Sequence, residues 1–119
     1  MKLKEFYRQI NGAYDDVLQR LLSEERVLRF VKKFAEDTTF DDLTDAVNSG
    51  RIDAIFLSAH TLKGISSTLG FTELNKTSSQ LTEYLRNNDS PSMDEVHILY
   101  NEVKKSVQEI CFYLRSLQE

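Results

Sequence analysis

Apolar positions recur along this chain at three- and four-residue steps, and strand-like alternation is not sustained anywhere, so the pattern predicts an all-α fold. Leu3, Phe6, Tyr7 and Ile10 make a short first helix, which Asn11-Gly12 breaks. Tyr14, Val17, Leu18 and Leu21 make a second. Ser23 then stands before Glu24 and Glu25, a cap with acids in the first turn, and Val27, Leu28, Val31 and Phe34 form the buried stripe that follows. Leu43, Ala46 and Val47 resume the same period beyond Asp37-Thr38-Thr39. Either threonine could cap a new helix there, but the favoured reading is one long helix, kinked at 37–39 and ending at Asn48-Ser49-Gly50.

A central helix is expected from about Arg51 to Gly70, with Ile52, Ile55, Phe56, Ala59, Leu62, Ser66 and Leu69 on its core stripe. The next carries Phe71, Leu74, Ser78, Leu81 and Leu85 and ends in the turn formers Asn87-Asn88-Asp89-Ser90-Pro91. Ser92-Met93-Asp94-Glu95 reads as a capping box for the last and longest helix, with Val96, Leu99, Val103, Val107, Ile110, Leu114 and Leu117 in register. Short connections in the second half imply antiparallel neighbours. The expected architecture is an up-down antiparallel four-helix bundle with short additional N-terminal helices. Without repeats or low-complexity tracts, residues 1–119 read as a single domain.

Composition narrows the function classes. With 119 residues, 40% of them hydrophobic, the chain can build one modest core, and a formal net charge of −4 without a basic run argues against nucleic-acid binding. Cys111, the single cysteine, reads as a packed thiol and suits a reducing compartment. Met1-Lys2-Leu3-Lys4-Glu5 lacks the apolar core of a signal peptide, and no apolar run reaches membrane-spanning length, so no membrane insertion is expected and the cytoplasm is the expected location. A bundle that buries its stripes internally has no evident need to dimerise, so a monomer is expected.

The chemistry concentrates in Ala59-His60-Thr61-Leu62-Lys63-Gly64-Ile65-Ser66-Ser67-Thr68-Leu69-Gly70. On a helix, Lys63 and Gly64 stand three and four residues after His60 and share its side. At roughly 100° per residue, His60 projects about 130° from the core stripe and should reach solvent. From Ala54 to Thr72 the only formally charged residue is Lys63, in a chain that is 29% charged. A neutral imidazole can attack phosphorus, and an ammonium group nearby can offset the charge of the product. Gly64 costs about 0.5–1 kcal/mol relative to alanine in a helix interior, which asks for a steric reason: access to His60, or close packing on a neighbouring helix. Other chemistries lack parts. The chain offers one Asp94-x-x-His97 where a di-metal bundle needs paired elements, so no metal site is expected, and Gly64-Ile65-Ser66-Ser67-Thr68 lacks the second glycine of a nucleophile elbow. His97 is expected simply to face solvent.

His60-Thr61-Leu62-Lys63-Gly64, with Leu69-Gly70 closing the helix, resembles the signature of the histidine-containing phosphotransfer (HPt) domain family. The resemblance implies a four-helix bundle with added N-terminal helices, a phosphoacceptor at His60, phosphoryl stabilisation by Lys63 and access over Gly64. It also implies receiver domains and a histidine kinase as partners, with transfer from a receiver aspartate to His60 and on to a second receiver. Mg²⁺ is expected only on the partner receiver, and the chain itself is expected to need no cofactor. It would be a carrier without autonomous kinase activity. Phe56, Leu57, Ser67, Thr82 and Arg86 are candidate docking residues. Leu57 points away from the core stripe and either rests under the N-terminal helices or joins a docking patch. The chain departs from the family at Thr82, where many members carry a Gln or Glu that bonds the active imidazole. Two alternatives stand beside the carrier: the phosphoacceptor module of a chemotaxis-type histidine kinase, which a linker after Glu119 would favour, and a helical adaptor that is never phosphorylated.

Overall fold

Ser23 and Ser92 open their helices as hydrogen-bonding caps. In this computed structural model, which describes residues 1–117, the Ser23 hydroxyl accepts from the Arg26 amide at 3.2 Å and the Ser92 hydroxyl from the Glu95 amide at 3.4 Å. Seven helices form among the described residues: α1 (Leu3–Gln9), α2 (Tyr14–Leu21), α3 (Glu24–Phe34), α4 (Thr39–Ser49), α5 (Ile52–Leu69), α6 (Thr72–Arg86) and α7 (Met93–Leu114). The expectation of an all-helical chain holds, and no strand forms among the described residues. Nor is any of these helices long and apolar enough to cross a membrane.

The long helix expected from Ser23 to Gly50 is in fact two. The amides of Ala35, Glu36 and Asp37 turn to the carbonyls three residues back, Lys32, Lys33 and Phe34, which tightens and ends α3. An Asp37 carboxylate oxygen then accepts from the Thr39 amide at 2.8 Å and starts α4. An aspartate one position upstream of the threonines supplies the turn, and neither threonine side chain caps the helix.

Helices α4, α5, α6 and α7 pack each against the next, and α7 also meets α4. Their stripes join one core that includes Leu43, Ile55, Leu62, Leu74, Leu81 and Val103. An aromatic group of Phe6, Tyr7, Phe34 and Phe71 fills the end where α1 and α3 meet the α5–α6 turn; Phe34 and Phe71 lie edge to face at 5.2 Å.

The N-terminal helices hold the C-terminal end of α5. A helix leaves its last four carbonyls without intrahelical partners. Here Ser66 accepts from the Phe71 amide and Ser67 from the Gly70 amide. An Arg20 guanidinium nitrogen donates to both Ser67 and Thr68, at 3.0 and 2.6 Å. The buried Tyr7 hydroxyl donates to Leu69 at 2.6 Å. Burial, and then the neighbouring Tyr14, push the Tyr7 hydroxyl well above the usual tyrosine range, so it stays a neutral donor. Gly70 turns the chain with φ +68°, and a Cβ there would lie 2.3 Å from a Val17 methyl.

Candidate functional site

Helix α5 carries its buried residues Ile55, Ser58, Ala59, Leu62, Ser66 and Leu69 on one side. His60 falls on the other and is exposed, as its angular position predicts. Its ring stacks on that of Phe56, one turn earlier, with centroids 5.9 Å apart and planes within 4°. Phe56 therefore keeps its expected place on the core stripe only in part, packing against the core without being sealed in it. It is half-buried, and the buried place beside it goes to Ser58.

Lys63 is half-exposed, with its ammonium nitrogen 3.8 Å from a carboxylate oxygen of Glu83 on α6. The same Glu83 oxygen binds a guanidinium nitrogen of Arg86 one turn on. Arg86 in turn lies over the Phe56 ring at 5.5 Å, so Phe56 touches both the imidazole and a second cation. The stretch 54–72 carries no carboxylate but Asp53 just before it, and along α5 the charge pattern is as expected. Across the α5–α6 seam it is not: Glu83 brings an anion to Lys63.

That pairing depends on the register of α6 against α5. Asn75, early in α6, donates its side-chain amide to the Lys63 carbonyl at 3.0 Å. Helical side chains lean toward their own N-terminus. The Lys63 side chain thus runs from a backbone fixed at Asn75 to a carboxylate two turns further along α6.

Gly64 resolves one of the open alternatives. A Cβ placed there meets nothing within 4 Å, so no neighbouring helix packs on it, and an exposed gap lies one turn beyond His60. A groove of about 450 Å³ opens beside this gap between α3 and α5, with Phe30, Phe34 and Ile65 among its walls and Lys33 and Asp37 at its edge. Phe30 is 39% exposed and was not singled out from the sequence; its place seven residues before Asp37 says nothing of α5 without the tertiary packing.

The candidate docking residues divide. Leu57 is 65% exposed, which rules out a place under the N-terminal helices. Ser67 and Arg86 are exposed. Thr82 is fully buried and its hydroxyl donates to the Ser78 carbonyl at 2.7 Å, so it offers nothing to a docking partner. The ring that the structure sets against the imidazole is Phe56. His97 is exposed on α7, as expected. Cys111 is half-buried, and burial pushes its thiol up, in keeping with a packed rather than reactive group.

A family model described as Hpt domain matches residues 29–111, from the middle of α3 to the last turn of α7. No curated protein and no solved structure matches the chain significantly.

Proposed function

Since the chain belongs to the Hpt domain family, with the histidine phosphotransfer in phosphorelay signalling that membership implies, we propose that His60 is its phosphoacceptor. The reading is carried by one observation: an exposed imidazole with open space over Gly64, one turn away, and the Lys63 ammonium on the same flank. A receiver domain bearing a phospho-aspartate docks on this face. The lone pair of a neutral imidazole nitrogen forms the N–P bond as the aspartyl O–P bond breaks, and the departing carboxylate takes the electron pair. The reverse step delivers the group to a second receiver's aspartate. Lys63 offsets the charge that arrives on His60.

Docking falls to Phe56, Leu57, Ser67 and Arg86 around the imidazole, continued by the groove at Phe30 and Ile65. The chain acts as substrate and carrier without kinase activity of its own, takes any Mg²⁺ with the receiver, and works as a cytoplasmic monomer. Helices α4–α7 make the up-down four-helix bundle. That arrangement is supported by their closed order of neighbours and by the Lys63 anchoring, in which carbonyl and ammonium meet α6 two turns apart. A core that runs from Leu3 to Ile110 supports one domain over residues 1–119.

The test is transfer from a phosphorylated receiver panel. An acid-labile, base-stable label on the wild-type chain, absent from His60→Gln, is the expected result. Label that survives His60→Gln refutes the assignment, and a wild-type chain that takes none from a broad panel favours the adaptor.

A further inference from the structure

The Glu83 carboxylate is the one feature of the site that the acceptor chemistry leaves unused. It sits where it opposes an anion arriving at His60, since it already holds the Lys63 ammonium. The two cations that share its oxygen do so unequally. Arg86 is directly hydrogen-bonded, one turn away on the same helix, whereas Lys63 reaches across from α5 at 3.8 Å, beyond hydrogen-bond length. Lys63 can therefore leave without stranding the carboxylate, because Arg86 keeps it paired. Both partners are substantially exposed, so the Lys63 contact is a weak one that a stronger anion displaces.

We propose that Glu83 is a positioning residue that shares Lys63 with the phosphoryl group: it holds the ammonium at the α5–α6 seam while His60 is unmodified and yields it to the phosphohistidine. The inference rests on His60 being the acceptor. Lys63, Glu83 and Arg86 together carry one net positive charge, against about −1.5 to −2 on a phosphoryl group. With Glu83 ionised the unmodified site carries one positive charge instead of two, and the phosphorylated one is left at about −0.5 to −1, under-compensated. Glu83 in this way keeps the phosphohistidine from becoming a trap, so the group passes on to the next aspartate instead of being retained.

The experiment loads wild-type chain, Glu83→Gln, Lys63→Ala and the double variant from one phosphorylated receiver, then follows phosphohistidine lifetime and the fraction retained at equilibrium with that receiver. Glu83→Gln keeps the side chain's size and removes its charge. It should raise lifetime or retained fraction about threefold at low salt, the range of one exposed ion pair, with the gain shrinking in 0.5 M salt. In the Lys63→Ala background the gain should vanish, a coupling that a purely structural Glu83 would not produce. Glu83→Gln indistinguishable from wild type, a shortened lifetime, or an equal gain without Lys63 overturns the proposal while leaving His60 as acceptor. A wild-type chain that takes no label overturns the acceptor assignment and this inference with it.

Discussion

Gly64 is a glycine whose replacement should strengthen the fold and weaken the function. A Cβ at this position meets nothing within 4 Å and the helix geometry is ordinary, so Gly64→Ala incurs no steric penalty. It recovers about 0.5–1 kcal/mol of helix propensity. For a chain of this size that is an increase of about 2–5 °C in Tm. Gly64→Gln should gain somewhat less, because its longer side chain loses some rotamer freedom. The two variants should separate in transfer. A methyl group at the gap leaves most of the approach to His60 open, whereas a glutamine side chain occupies the space one turn from the ring. In-line attack needs reacting atoms about 3–3.5 Å apart, and a displacement of about 1 Å can lower the rate on the order of a hundredfold. Thermal melts followed by circular dichroism and single-turnover transfer from a phosphorylated receiver measure both quantities on the same samples. Wild-type transfer by Gly64→Gln would show that partners do not approach over Gly64. A loss of stability in Gly64→Ala would show that the residue serves packing instead.

Three further outcomes follow from the same geometry. Lys63→Ala should lower the transfer rate or phosphohistidine lifetime about three- to tenfold, the scale of one charge-assisted contact at a half-exposed group; no change in either removes Lys63 from the mechanism. Tyr7→Phe leaves the Leu69 carbonyl without its buried donor and should cost about 1–3 kcal/mol in urea denaturation, and an unchanged midpoint would mean that this contact does not hold α5. Gly70→Ala forces a side chain into a left-handed turn and against Val17, so a loss of about 2–4 kcal/mol is expected, and wild-type stability would contradict the turn described.

What could be read in advance was whatever depends on local spacing. Ser23 and Ser92 cap the helices they precede, His60 faces solvent, and Gly64 is a gap, because each follows from helical period and residue type. Readings that turned on competition between neighbours fared worse. At the helix break at 35–38 the Asp37 carboxylate accepts from the Thr39 amide while neither threonine side chain caps α4, a choice that hydrophobic period does not register. Phe56 fits the core stripe by angle and does pack against the core, but it is only half-buried and its ring also stacks on the imidazole, which the period does not show. Thr82 is the mirror case: polar, suited to a docking face, and sealed against the backbone of its own helix. Glu83 stands next to Thr82, where the chain departs from the family, but its pairing with Lys63 was not legible, since that approach spans twenty residues of sequence and depends on a register that Asn75 helps to set.

Two histidines make the central claim directly measurable. After loading from a phosphorylated receiver, ³¹P and ¹⁵N NMR of the wild-type chain should show one phosphoramidate signal, with the ring nitrogens of His60 shifted and those of His97 unchanged. A signal assigned to His97, or a phosphoryl group on any side chain other than the His60 imidazole, would contradict the account.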